Sequence, residues 1–150
     1  MGAARTTSKP IGTAAGIALA GAVAVSALAT FGGEQQDDQT STYWMVALFL
    51  AGITALVFGL VVRPAMREAG SNRAALSGLI TSIAGILTIV AYWSGLPVIL
   101  GTAGALMGMY GKERAEQGAG RRGMALTATV LGILAAAAAA AIVVMDIAAN

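Results

Sequence analysis

Long stretches without a charged residue dominate the chain and predict helices that cross a membrane. Four of them cover residues 11–31, 43–62, 74–111 and 124–145. Because a spanning helix needs about 20 predominantly apolar residues, the first, second and fourth stretches each predict one span. The third stretch has 38 residues and would extend roughly 57 Å as one helix. That length is nearly twice the hydrocarbon thickness of about 30 Å.

The sequence "SGLP" at residues 94–97 supplies a break in the third stretch. Gly95 tolerates a turn, and Pro97 disfavours helical geometry at Leu96 while suiting the first turn of the next helix. We expect the fourth helix to continue beyond residue 111, where Lys112 and Glu116 have the i,i+4 spacing of helix neighbours. The pattern therefore predicts an all-α, polytopic transmembrane helical bundle of five helices, near residues 11–31, 43–62, 74–93, 96–111 and 124–145.

The composition agrees with this class of protein. Of the residues, 57% are hydrophobic and 11% are charged, with a mean hydropathy of +0.79, whereas a soluble domain carries about 25% charged residues. The chain has no cysteine and no histidine, so it lacks thiolate ligands and the commonest general base. A net charge of +2 is too small to indicate nucleic-acid binding. We expect no enzymatic activity, no cofactor, no metal site and no nucleic-acid partner.

The charges in the connecting segments predict the orientation, because basic residues near span ends concentrate on the cytoplasmic side. Three segments contain all nine basic residues: 1–10, 63–73 and 112–123. Five spans place these segments on one side, with the N-terminus. The other side receives the acidic loop 32–42, the turn 94–97 and the C-terminal tail 146–150, whose only charges are Glu34, Asp37, Asp38 and Asp146. We expect a bacterial plasma-membrane protein with a cytoplasmic N-terminus and an outer C-terminus.

Aromatic residues give the same orientation. Tyr43 and Trp44 begin the second predicted helix, and Tyr92 and Trp93 end the third. Both pairs fall at the outer side of the predicted topology. Tyrosine and tryptophan are enriched at the membrane–water interface, so the two pairs are expected to lie at the outer interface.

The first helix has an alternative interpretation as a secretory signal, since a basic leader precedes an apolar stretch and "ALA" at residues 27–29. Its apolar stretch is longer than the usual signal core of about 7–15 residues, so we prefer an uncleaved helix. Cleavage would leave four helices in the same orientation, with both termini outside.

A faint internal repeat pairs "GITALVFG" at residues 52–59 with "GTAGALMG" at residues 101–108, and "AGIL" at 84–87 with "LGIL" at 131–134. Each unit would contain an inward helix, a basic loop and an outward helix, which describes a parallel duplication of a hairpin. The alternative is that membrane helices rich in small residues resemble one another by composition.

Small residues recur on one face of two predicted helices. Gly101, Gly104, Gly108 and Gly111 share a narrow helix face, and the first helix repeats the device at a spacing of four with Gly12, Gly16, Ala20 and Ala24. In lipid, such faces let neighbouring backbones approach closely. The faces are predicted either to pack within the bundle or to bind another subunit or a second copy of the chain.

The basic loops are predicted to be solvated, with contact to anionic headgroups as the alternative, since a basic residue near the surface contributes about 1 kcal/mol. The candidate lipid-contacting residues are Arg63, Arg67, Arg73, Lys112, Arg114, Arg121 and Arg122. The predicted spans contain no ionisable residue between their ends. Their hydroxyl groups are expected to bond to backbone carbonyls or across helices; they belong to Thr54, Ser77, Thr81, Ser82, Thr88, Thr102, Thr127 and Thr129.

Residues 96–141 contain "LGTAGALMGMYGKERAEQGAGRRGMALTATVLGIL", a Gly/Ala-rich segment, a short basic loop and an Ala-rich segment. This order resembles a family of small bacterial membrane hairpins known only as a domain of unknown function, with Gly108, Gly111, Gly123 and Gly132 at the matching points. The resemblance covers about a third of the chain, and the first helix and acidic loop lie outside it. It implies a helical hairpin and brings no activity with it.

The sequence thus predicts a structural or accessory role, in which the protein packs with or helps assemble a larger membrane complex. The expected partners are the lipid bilayer and other membrane subunits or the protein itself. One alternative is a small transport or channel component, since interrupted helices and parallel repeats occur in transporters. A third is a membrane-anchored scaffold or sensor that uses the basic cytoplasmic loops.

Overall fold

The computed structural model describes residues 8–31, 40–67, 72–118 and 121–149. Within these ranges the chain is helical almost throughout and contains no strand, which confirms the predicted all-α bundle. Arg5 and the three acidic residues of the predicted outer loop lie outside the described residues.

The described residues form five helical segments. The first is α1 (Ser8–Phe31), and the second joins α2 (Thr40–Leu56), a π-helical turn (Val57–Val62) and α3 (Arg63–Arg67). The third consists of α4 (Arg73–Leu87) and a 3₁₀ segment (Thr88–Ser94). The last two are α5 (Leu96–Glu116) and α6 (Arg122–Ala149).

Four of the segments are long and apolar enough to cross a bilayer: Pro10–Phe31, Tyr43–Arg67, Arg73–Ser94 and Arg122–Ala149. The chain is therefore a multi-pass membrane protein. The segment that falls short is α5, whose last turns carry charged residues. Ten of its 21 residues are buried, so α5 lies inside the bundle and needs less lipid-facing apolar surface. A fifth span through α5 stays a prediction.

Several helices extend past the ends that the uncharged stretches predicted. The first begins at Ser8 and the last runs from Arg122 to Ala149, because a charged side chain at a helix end can reach water. The predicted extension of the fourth helix is found, since α5 ends at Glu116. Uncharged stretches mark the apolar part of each helix and leave its ends undetermined.

The second segment passes through Pro64, where the sequence predicted a loop from residue 63. Proline lacks an N–H group, and its ring clashes with the carbonyl four residues earlier, here that of Leu60. The π-helical turn just before it widens the backbone, and the N–H of Arg63 donates to the carbonyl oxygen of Phe58, five residues back. The helix continues to Arg67, so the predicted loop 63–73 is wrong for its first five residues.

The predicted break between the third and fourth helices is confirmed, but the regular α-helix ends earlier than residue 93. It gives way after Leu87 to the 3₁₀ segment, where Ala91 has non-helical angles of φ −107° and ψ 46°. Gly95 then adopts a left-handed conformation with φ 71°. A β-carbon added at Gly95 would also lie 2.7 Å from the carbonyl oxygen of Ala22 on α1. The backbone conformation and the close approach of α1 therefore both require glycine at this position.

The centre of the bundle is made by α4, α5 and α6, with α5 antiparallel to both neighbours. Gly78 of α4 lies against Gly108 of α5, and Gly85 lies against Gly101, which fixes the antiparallel register. Helix α1 covers α5 with Ala18, Ala22 and Val25. The second segment lies outermost, and its Leu50, Phe58 and Val62 close the core.

The bundle has two chemically different ends. At the basic end, the N–H of Arg121 donates to Oδ1 of Asn72 at 2.8 Å and brings the two basic connections together. At the aromatic end, the Tyr92 hydroxyl and Oδ2 of Asp146 are 3.3 Å apart. Also at that end, the Tyr43 hydroxyl donates to the carbonyl oxygen of Val23 at 2.8 Å. Basic connections and aromatic pairs are thus separated along the bundle axis.

Candidate functional site: small-residue faces and the basic end

The glycine face of α5 lies inside the bundle, and all four of its glycines are buried. A β-carbon at Gly101 would lie 2.5 Å from the carbonyl oxygen of Gly132, and one at Gly111 would lie 3.1 Å from Cβ of Ala75. A β-carbon at Gly104 would overlap Oγ of Ser82. This face therefore packs within the chain and lets α5 approach α4 and α6 at backbone distance.

The opposing helices supply glycines of their own, and the two on α4 were not singled out from the sequence. Gly78 and Gly85 on α4 face α5, and Gly132 on α6 lies beside Ala105 and Gly101. Gly78 and Gly85 are seven residues apart, a spacing that returns to the same helix face. That spacing is the signal that could have identified them.

Ser82 joins α4 to α6. Its side chain is 0% exposed, and its Oγ donates a hydrogen bond of 2.7 Å to the carbonyl oxygen of Ala128, from α4 to α6. Five other predicted hydroxyl groups donate to carbonyl oxygens within their own helical segment: those of Thr54, Thr81, Thr88, Thr127 and Thr129. These hydroxyl groups therefore bond to backbone carbonyl oxygens, as predicted.

The small-residue face of α1 is not packed against another helix of the bundle. Gly12, Gly16, Ala20 and Ala24 are all exposed, and β-carbons at the two glycines would meet no described residue within 4 Å. The face of α1 that packs against the bundle carries Ala18, Ala22, Val25 and Ser26, all buried. Packing within the bundle, the first of the two roles predicted for this face, is therefore not observed for these four residues.

The seven candidate lipid-contacting residues fall into two groups at the basic end. Lys112 and Arg114 are half-buried and engaged: Nζ of Lys112 is 3.9 Å from Glu116, and Nη2 of Arg114 donates to the Tyr110 hydroxyl at 2.6 Å. The Arg114 guanidinium also lies 5.1 Å from the centre of the Tyr110 ring, a cation–π distance. The other five are exposed: Arg63, Arg67, Arg73, Arg121 and Arg122.

A groove lies between α1 and the π-helical turn at the basic end. Its volume is about 360 Å³, and it is lined by Ile11, Gly12, Ala15, Phe58, Gly59 and Arg63. Five of these residues are apolar and the sixth is an arginine. The groove therefore combines an apolar wall with one positive charge.

No group of three histidine, cysteine, aspartate or glutamate side chains comes together within metal-binding distance among the described residues. In the comparisons with known proteins, no family model, no curated protein and no solved structure matches the chain. The resemblance of residues 96–141 to a family of small membrane hairpins stays a prediction. In the structure this region comprises α5 and most of α6, with Gly108, Gly111 and Gly132 in helix contacts and Gly123 exposed.

Proposed function

We propose that this chain is a small, non-enzymatic integral membrane protein with a structural or accessory role. It packs through α1 against another membrane-protein subunit and helps to stabilise or assemble a larger complex. The observation that carries the proposal is the exposed face of Gly12, Gly16, Ala20 and Ala24. A face of this kind lets a second transmembrane helix approach closely.

The contrast between α5 and α1 supports this role. Both helices present a strip of small residues, and the strip on α5 is filled by α4 and α6. The strip on α1 has no such neighbour at its two glycines among the described residues. Glycine inside a helix is less favourable than alanine by about 0.5–1 kcal/mol, and no close contact with another described residue offsets that loss. Close contact with a partner helix would offset it.

The proposed location is a bacterial plasma membrane, with the basic end and the N-terminus in the cytoplasm. This follows the preference of basic residues for the cytoplasmic side and the separation of the basic and aromatic ends of the bundle. In this orientation the exposed arginines of the basic end contact anionic lipid headgroups.

Site-directed crosslinking in native membranes tests the partner face. The chain has no cysteine, so Ala20→Cys introduces a unique thiol on the exposed face of α1. Val130→Cys on α6 is the matched control, since Val130 is 54% exposed and lies on another helix. We expect a specific crosslinked product from the first variant and none from the second, and Gly16→Leu should remove the product by filling the face.

The mass and the peptides of the product identify the partner. A product of about twice the 14.9 kDa chain mass that contains peptides of this chain alone identifies a second copy. Peptides of another protein in the product identify a different subunit. Equal crosslinking from positions 20 and 130, or a product that survives Gly16→Leu, would contradict the proposal.

The transport alternative rests on the two interrupted helices, the π-helical turn and the 3₁₀ segment. Against it, the hydroxyl groups of Thr54, Thr81 and Ser82 are bonded to carbonyl oxygens, and the glycine contacts close the space between α4, α5 and α6. Solute or ion flux into vesicles containing the pure protein would favour transport over the accessory role. The scaffold alternative requires a soluble partner that is lost when Arg121 and Arg122 are neutralised.

A further inference from the structure

The groove between α1 and the π-helical turn has the size and lining of a ligand site. Its volume of about 360 Å³ falls within the range of about 300–1,000 Å³ for small-molecule sites. Phe58 forms its buried side and is 4% exposed. Gly12 and Gly59 form the facing walls, and a β-carbon at either would meet nothing within 4 Å. The groove exists because both helices lack a side chain there.

Pro64 explains why the groove lies at this point. The π-helical turn that precedes this proline spans Val57–Val62 and displaces the helix from regular α geometry. The displaced turn presents Gly59 and Arg63 to the groove. A proline one turn from the basic end thus shapes an apolar recess and places a cation at its rim.

Arg63 is the charged element of the groove. Its side chain is exposed, and among the described residues it has no hydrogen-bonding or acidic partner. Guanidinium groups bind phosphate oxygens through two parallel hydrogen bonds. The charge of Arg63 is therefore available to an anion at the membrane surface.

The lining of the groove indicates the kind of occupant. Five of its six lining residues are apolar, which suits a hydrocarbon chain. The sixth, Arg63, supplies a positive charge at which a negatively charged polar end would lie.

We propose that the groove binds one acyl chain of an anionic phospholipid, whose headgroup phosphate accepts hydrogen bonds from Arg63. Basic pockets between transmembrane helices bind anionic headgroups on the cytoplasmic side, and the groove opens at the basic end. The site is separate from the partner face proposed for α1, apart from Gly12, which belongs to both. It needs no second protein, so its failure and the failure of the accessory role are distinguishable.

Native mass spectrometry of the delipidated protein in detergent tests this site, with dioleoyl phosphatidylglycerol and dioleoyl phosphatidylcholine as probes. We expect one phosphatidylglycerol molecule to bind about fivefold more tightly than phosphatidylcholine, the preference that one basic residue supplies. Arg63→Gln should remove this preference. Arg67→Gln is the matched control. Arg67 is also exposed at the basic end but does not line the groove, so its contact with headgroups at the membrane surface does not hold a single lipid in this site and the preference should remain.

A second pair of variants tests the acyl-chain part of the site. Gly59→Leu fills the groove and should weaken binding of both lipids at least fivefold. Gly52→Leu is the control, because Gly52 is exposed on the same helical segment, has open space around it and lies outside the groove. Glycerol phosphate should not compete, because it has no acyl chain; competition by it would reassign the site to a soluble anion.

Besides competition by glycerol phosphate, three results would overturn the proposal: equal binding of the two lipids, the same loss in Arg63→Gln as in Arg67→Gln, or undiminished binding in Gly59→Leu. Circular dichroism and gel filtration establish that each variant is folded. If Gly59→Leu does not fold, the comparison of the two arginine variants alone decides the outcome.

Discussion

Ser82 on α4 and Ala128 on α6 are 46 residues apart in sequence and are joined by a hydrogen bond of 2.7 Å from Oγ to the carbonyl oxygen. The bond passes beside α5, where Gly104 leaves room for the Ser82 hydroxyl. One polar side chain therefore links α4 to α6, at a level where the neighbouring α5 has no side chain.

Ser82→Ala should destabilise the bundle by about 0.6–2 kcal/mol, the range for a hydrogen bond between membrane helices. Thr127→Ala is the control, because its hydroxyl is exposed and bonds within its own helix. Unfolding in mixed micelles by a titration with dodecyl sulfate, followed by circular dichroism, measures both. Equal stability of the two variants would show that the link between α4 and α6 adds nothing.

Gly104→Ala should be more damaging than Ser82→Ala. The new methyl group would overlap the Ser82 hydroxyl and lie 2.9 Å from the carbonyl oxygen of Gly78, and overpacking of this kind destabilises by about 1–3 kcal/mol. Gly52→Ala places the same methyl group in open space and should leave stability unchanged or raise it by up to about 1 kcal/mol. The same titration compares them, and a loss in both variants would argue against a packing role for Gly104.

The sequence allowed the glycine face of α5 to be found because its spacing matches the helix period and its glycines interrupt an uncharged run. It did not allow the packing face of α1 to be chosen. That helix has small residues on two faces, one with Ala18 and Ala22 and one with Gly16 and Ala20. Their polarity is the same, so only the shape of the neighbouring helices decides which face packs, and that shape depends on residues far away in sequence.

The path of the second segment was also not predicted from the sequence. The uncharged run ends at Val62, and that boundary led to the predicted loop from residue 63. The structure instead continues the helix through Pro64 by way of the π-helical turn. The two halves of the proposed internal repeat differ in burial. Gly52 and Gly59 are exposed, whereas Gly101 and Gly108 are buried. The matched segments therefore have different environments.

Gly95→Ala should be one of the most destabilising single changes in the chain. A residue with a β-carbon in the left-handed conformation is unfavourable by about 1–2 kcal/mol, and here the methyl group would also lie 2.7 Å from the carbonyl oxygen of Ala22. Gly118→Ala separates the two effects, because Gly118 has φ 85° with nothing within 4 Å of an added β-carbon. The loss of stability in Gly118→Ala should equal the contribution of the left-handed conformation alone. Equal losses in the two variants would show that the contact with α1 is unimportant.

The orientation of the bundle is testable with single cysteines at its two ends. Gln117 lies at the basic end beyond α5, and Ala148 lies near the C-terminal end of α6; both are exposed. If the basic end is cytoplasmic, a membrane-impermeant maleimide should label Ala148→Cys in intact cells. Gln117→Cys should react only after the membrane is permeabilised. Arg67→Cys should behave as Gln117→Cys does, because α4 and α5 together return the chain to the end where Asn72 meets Arg121. Labelling of positions 67 and 117 from opposite sides would mean that α5 does not cross the bilayer beside α4. Labelling of both positions, but not of position 148, in intact cells would invert the proposed orientation.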